Sequence, residues 1–182
     1  MYNFMIKVFI VLWIIVPASL FSNEIEKKCI SVIRSYYNQN VKLINKEFIV
    51  SSNIKLDIEN KVKQRFYRNK IYYWIIEKSG KFNYALLDNT MGKTMPITFL
   101  VIFDDRMEII HSSIIKYRES YGGEVSGKKW LAQFDGKKQN SIYKFGKEID
   151  GITGATISIK SITKAINKLS LLLPYVIEDH DQ

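Results

Sequence analysis

Apolar positions along the chain change period partway through. From Glu24 to Tyr37, Ile25, Cys29, Val32, Ile33 and Tyr36 recur at helical spacing and predict an amphipathic helix broken at Asn38–Asn40. Val41–Val50 is a β-branched run interrupted by lysines and reads as a short strand. Leu56–Arg68 reads as a second helix, with Ile58, Val62 and Phe66 inward and a basic outer face of Lys61, Lys63, Arg65, Arg68 and Lys70. From Lys70 the period becomes that of strands. Ile71–Ile76 is β-branched and aromatic, Ser79-Gly80-Lys81 is a hairpin turn, and Phe82–Leu87 is the return strand. Asp88-Asn89 opens a loop that runs to Pro96. Ile97–Phe103 is a continuous apolar strand, Asp104-Asp105-Arg106 turns it, and Met107–Tyr117 returns. Lys128–Phe134 reads as a short helix with Trp130, Leu131 and Phe134 inward. Last, Ile159, Ile162, Ile166, Leu169 and Leu173 lie on one helical face, and Pro174 is expected to stop that helix.

Short turns between the strands predict an antiparallel meander or half-barrel flanked by helices, an α+β fold with an amphipathic C-terminal helix. No internal repeat or low-complexity linker is present. Residues 1–22 read as an export signal. Lys7 is followed by Val8–Phe21, a run of about fourteen mostly apolar residues, against the roughly twenty that a spanning helix needs. Cleavage near Ser22 is the favoured reading and an uncleaved N-terminal anchor the alternative. Cys29 follows Glu26, Lys27 and Lys28 and so has no lipid-attachment context.

Composition narrows the chemistry. The 182 residues provide one domain plus an N-terminal extension. A single cysteine excludes an intrachain disulfide and a cysteine metal cluster, and His111 and His180 have no ligand-like spacing. Basic residues exceed acidic ones by nine (27 − 18) in a spread without long runs. Without a nucleic-acid motif this reads as a solvated basic surface, compatible with an anionic membrane or an acidic redox partner and not with nucleic acid as the expected partner.

The most informative stretch is Asp150-Gly151-Ile152-Thr153-Gly154-Ala155-Thr156-Ile157-Ser158. It is a glycine-punctuated turn that enters the last helix, so Thr156 falls at a helix N-terminus, where free N–H groups and the helix dipole favour a phosphate. Gly-Ala-Thr alone reads more readily as only a turn with an N-cap than as a phosphate site.

The whole stretch resembles the flavinylation motif of the FMN-binding domain family, which occurs in flavoprotein subunits of sodium-pumping quinone reductases and related membrane complexes. Asp150, Thr153, Gly154, Ala155, Thr156 and Ser158 fit its pattern. The order of elements from about residue 70 to 173 is similar to that family too. It includes Gly92-Lys93-Thr94-Met95-Pro96-Ile97-Thr98, the loop Glu119-Ser120-Tyr121-Gly122-Gly123-Glu124, and Trp130–Phe134. Better-known members have a proline in the glutamate loop, which Tyr121-Gly122-Gly123 replaces here.

The resemblance implies FMN bound covalently through a phosphoester to Thr156. A separate magnesium-dependent flavin transferase would be the modifying partner. The Glu119–Glu124 loop, with Glu119, Tyr121, Gly122 and Gly123 as its site residues, would line the flavin ring, with Tyr121 either stacked on it or packed on the sheet. Asp150 reads as a turn former or a recognition element for the transferase. Lys93 reads as a turn residue and Trp130 as core.

The expected organisation is a signal or anchor (1–22), a helical N-terminal region (23–69), an FMN-binding domain (70–174) and a polar tail (175–182). The expected function is an exported, periplasmic or extracytoplasmic membrane-associated flavoprotein electron carrier. It would serve a membrane electron donor or an exported redox acceptor, as an electron-transfer module rather than a free-standing enzyme. The alternatives are a noncovalent FMN-binding or sensory module, and an exported structural or interaction protein that has lost the flavin.

Overall fold

The computed structural model describes residues 18–38 and 41–181. Residues 1–17, which hold most of the expected signal, lie outside the described residues. Helix α1 (Ala18–Tyr37) leads to strand β1 (Lys42–Ile49) and helix α2 (Ser52–Val62). Strands β2 (Lys70–Lys78), β3 (Lys81–Met91), β4 (Pro96–Phe103) and β5 (Ile109–Lys116) follow. The short helix α3 (Lys128–Leu131) and the long helix α4 (Thr156–Asp181) complete the chain, with 3₁₀ turns at Gly123–Ser126 and Ala132–Phe134.

The strands form one open sheet in sequence order, β1-β2-β3-β4-β5, and every neighbouring pair is antiparallel. The fold is α+β, as the alternation predicted. Within residues 23–69, β1 pairs with β2 from Lys42↔Glu77 to Ile49↔Lys70, so the sheet runs on across residue 70.

Each face of the sheet buries one helix stripe. On one face α1 packs Cys29, Ile33 and Tyr37 against Trp74, Ile76, Ala85, Leu100 and Ile102. Tyr37 faces inward in place of the expected Tyr36, which is exposed. The Cys29 thiol is fully buried, and desolvation pushes its pKa up to about 12. On the other face α4 buries Ile159, Ile162, Ile166, Leu169 and Leu173 against Ile71, Tyr73, Ile75, Leu86, Phe99 and Val101. Each such side chain contributes about 1.5–3 kcal/mol when taken fully out of water.

Three boundaries differ from the sequence reading, each for a local reason. Helix α2 starts earlier because Ser51 caps it, accepting from the Ile54 N–H, and it stops at Lys63, which takes a left-handed conformation (φ 54°). Phe66 therefore lies beyond the helix, and its N–H donates to Glu59 Oε1 at 2.6 Å. Strand β3 runs past Asp88 to Met91 because its polar residues find buried partners. Gln64 Nε2 donates to Thr90 Oγ1 and to Ser161 O, both at 2.9 Å. Helix α4 continues through Pro174 to Asp181, so residues 175–181 are helical. Beyond the proline, Val176 is buried and Tyr175 and Ile177 pack on the core, which outweighs the lost main-chain bond. His180 meets the rings of Phe82 and Tyr84.

One ion pair crosses the buried interface between α4 and β3. Lys168 Nζ lies 2.9 Å from Asp88 Oδ2, and the two side chains are 0% and 4% exposed. The ammonium also donates to Arg65 O at 3.1 Å and stands 4.4 Å from the Phe66 ring centroid. Removing one partner strands the other charge in the core. Asp88→Ala is expected to cost about 3–5 kcal/mol in chemical denaturation, whereas the paired replacement Asp88→Leu/Lys168→Met recovers most of that loss.

Candidate functional site

The start of α4 and the loop after β5 form the walls of one cleft. It has a volume of about 450 Å³ and is lined by Lys93, Thr94, Glu119, Ser120, Tyr121, Gly154, Ala155, Thr156, Ile157 and Ser158. Six of the residues singled out from the sequence therefore meet here: Glu119, Tyr121, Gly154, Ala155, Thr156 and Ser158.

Thr156 is the first residue of α4 and is exposed. The Ile159 N–H makes the bond to Ala155 O (2.9 Å), so the N–H groups of residues 156–158 come before it, at the positive end of the helix. Gly154 sits at φ +81°, where other L-residues are strained, and nothing lies within 4 Å of where its Cβ would be. The turn thus bends tightly and leaves open space directly before Thr156.

Across the cleft, Gly122 (φ +75°) packs against Ala155. A Cβ there would stand 3.0 Å from Ala155 Cβ and 3.1 Å from the Tyr117 hydroxyl. Tyr117 ties the two walls together. Its hydroxyl donates to Tyr121 O at 2.6 Å and lies 3.5 Å from Ser158 Oγ, which is buried. The Tyr121 side chain is 85% exposed, so it does not pack on the sheet.

Glu119 turns its charge into the β3–β4 loop. Its carboxylate accepts the Thr94 N–H (2.7 Å), the Thr94 hydroxyl (2.8 Å) and the Met95 N–H (3.1 Å). The neighbouring Arg118 donates to Pro96 O at 2.9 Å and to Thr98 Oγ1 at 3.0 Å, both at the start of β4. Glu119 thus holds the β3–β4 loop while Arg118 holds the start of β4 directly after it, and Lys93 and Thr94 stand in the cleft wall.

The other predicted residues lie outside the lining. Asp150 is exposed, and its backbone is pinned: its N–H donates to Gln133 Oε1 at 2.8 Å, and its carbonyl accepts the Trp130 indole N–H at 2.9 Å. Thr153 is exposed in the turn, and Gly123 opens the 3₁₀ turn. Sequence reading took Lys93 as a turn residue and assigned no role in the site to Thr94 or Ile157, all of which line the cleft, as does Ser120 of the expected glutamate loop. The signal available for the first two was their loop position directly before the apolar strand.

A second cleft of about 400 Å³ lies on the α1 side of the sheet, with Arg68, Tyr72, Trp74, Lys116 and Arg118 in its lining. None of the predicted site residues reaches it. Among the described residues no group of three or more His, Cys, Asp or Glu is placed to hold a metal, and no helix is long and apolar enough to cross a membrane.

The fold and the cleft define an α+β domain whose site opens at the first residue of its last helix. Residues 92–170 match the model of the FMN-binding domain. The match starts directly after β3 and reaches into α4, so it takes in every residue of the cleft. One subunit of an ion-translocating oxidoreductase complex from Buchnera aphidicola is 28% identical over 108 residues, an alignment covering 52% of this chain and 66% of that protein. One subunit of the Na⁺-translocating NADH-quinone reductase from Parabacteroides distasonis has a similar fold. Its TM-score is 0.57 at 16% identity, over 86% of this chain and 96% of that one.

The bonds to the Thr94 and Met95 N–H groups hold the Glu119 carboxyl below its ordinary value of 4.5. The ionised carboxylate thus secures the loop above pH 4.5, and that contribution is lost as pH falls through the lowered value. The Thr94 and Met95 amide NMR shifts are therefore expected to stay constant above pH 4.5 and titrate with a midpoint below it. In Glu119→Gln the same titration is expected to vanish.

Proposed function

We propose that this chain is an exported flavoprotein electron carrier with FMN joined by a phosphoester to the Thr156 hydroxyl. The observation that carries this reading is the exposed threonine at the first residue of α4, facing a cleft of about 450 Å³ inside the matched domain. That volume falls within the roughly 300–1,000 Å³ of small-molecule sites. When bound, FMN supplies reversible one- and two-electron chemistry.

The chain's own residues provide attachment, orientation and charge balance. The free N–H groups at the start of α4 favour the phosphate by about 0.3–1 kcal/mol at such an exposed position. Lys93 adds a positive side chain to the same cleft, and the open space at Gly154 leaves room for the phosphate oxygens. The contact of Gly122 with Ala155 sets the distance between the walls. Tyr121 offers an exposed ring face at the rim, and Ser158, bonded through Tyr117, steadies the first helical turn. Glu119, Gly123 and Thr153 shape the loops that bear these groups.

Attachment requires a separate flavin transferase, and the exposure of Thr156 leaves its hydroxyl within reach of one. Asp150, with a fixed backbone and an exposed side chain, suits a recognition element for that enzyme. Two similar proteins are named as subunits of ion-translocating redox complexes, which supports a membrane electron donor or an exported acceptor as the redox partner. Residues 1–22 would direct export or anchor the chain.

The test is intact mass and in-gel flavin fluorescence after co-expression with a flavin transferase in an exporting host. The wild-type chain is expected to gain one FMN less water on the peptide containing Thr156. Thr156→Ala should lose the covalent flavin completely and keep its circular dichroism and melting profile. Covalent flavin retained in Thr156→Ala would overturn the assignment.

A further inference from the structure

The basic outer face of α2 found in the sequence is completed by α4 in the fold. A shallow groove of about 680 Å³ runs between the end of α2 and the first turns of α4, with Lys63, Arg65, Lys160 and Lys164 in its lining. All four are exposed. The groove's one carboxylate, Glu59, is taken up by the Phe66 N–H. Among the described residues none of the four cations lies within 4.0 Å of a carboxylate. Lys164 instead donates to Lys63 O at 3.3 Å, and Lys160 stands over the Phe145 ring.

Two large apolar side chains stand about half exposed in the same groove, Ile157 at 52% and Tyr67 at 51%. Ile157 also lines the Thr156 cleft, so the groove and the cleft share a wall.

We propose that this groove is the docking face for an acidic redox protein, whose carboxylates meet Lys63, Arg65, Lys160 and Lys164 while its cofactor edge approaches over Ile157. The inference rests on the flavin reading, because that reading puts the redox group on the far side of Ile157. Unpaired cations speed the encounter with an acidic surface and orient it, and a small apolar centre makes the contact. This combination fits a transient electron-transfer interface rather than a permanent one. Four cations share the groove with the single carboxylate of Glu59, so the groove carries a net positive charge and a carboxylate-rich partner relieves the repulsion among the cations on binding.

The test uses cytochrome c and its succinylated form, which share a fold and differ in the sign of their surface charge. Each is titrated against the flavin-loaded full chain and against the flavin-free Thr156→Ala chain. At low ionic strength the succinylated form is expected to bind both chains about tenfold tighter than the native form, and its ferric haem to be reduced about tenfold faster by the loaded chain once the flavin has been reduced with one equivalent of dithionite, each two-electron-reduced flavin serving two cytochromes. Both advantages should disappear near 0.5 M salt, where the screening length is only about 3–5 Å.

Arg65→Glu/Lys160→Glu/Lys164→Glu should abolish both. Lys27→Glu/Arg34→Glu/Lys46→Glu, with the same net charge change on α1 and β1, should leave them within about threefold. Equal loss in the two triple variants would reduce the effect to net charge and overturn the proposal, as would no preference for the succinylated form. Capture of phosphatidylglycerol vesicles through Arg65, Lys160 and Lys164, without binding of the succinylated cytochrome, would assign the face to a membrane and also overturn it. Missing flavin in the wild-type chain would withdraw the redox reading. Failure of the Thr156→Ala chain to bind would withdraw the docking face alone.

Discussion

Burial of one stripe of α4 against the sheet is the constraint on which the rest of the structure depends. The stripe fixes the helix axis, and the Lys168–Asp88 pair fixes its position along that axis. A charge that is costly to bury tolerates little sliding, because any shift by a turn leaves both partners unpaired. With the helix held at its middle, its first residue can reach only one place, the loop after β5. The chemistry of Thr156 is thus set by packing some twelve residues downstream (Thr156 to Lys168).

The cleft depends in turn on opposed contacts over short distances. Gly122 touches Ala155, Tyr117 reaches both Tyr121 and Ser158, Glu119 holds the β3–β4 loop and Arg118 holds the start of β4. None of these holds the fold together. They position a few polar and small groups on a scaffold that α1, α2 and α4 have already made rigid. The whole cleft falls within the matched residues 92–170, while α1, β1, α2 and β2 lie outside and act as the support behind it.

Strands and helices with a clear period were legible from the sequence. The meander from β2 to β5, the inward face of α4 and the placement of Thr156 at its start all followed from apolar spacing and the glycine turn. Features that depend on distant partners were not legible. Asp88-Asn89 looked like a loop because nothing local shows that Lys168 and Gln64 would satisfy a strand there. Pro174 looked like a stop because the packing of Val176 is tertiary. Lys93 looked like an ordinary turn residue because its place in the cleft is set by Glu119, more than twenty residues away (Lys93 to Glu119). The motif made the helix-side wall readable and the resemblance pointed to the glutamate loop opposite it, but the part played by Lys93 and Thr94 appeared only once the sheet was folded.

The fully buried Cys29 has a practical meaning of its own. A thiol sealed under α1, with its pKa pushed up to about 12, is almost wholly protonated at neutral pH and out of reach of bulk reagents. Towards alkylating probes the native chain therefore behaves as if it had no cysteine. A single cysteine introduced on the surface, for instance at the exposed Tyr121 or Ile157, would be the sole reactive thiol, so a spectroscopic label could be mounted at the rim of the cleft without first stripping the protein of its own sulfur chemistry.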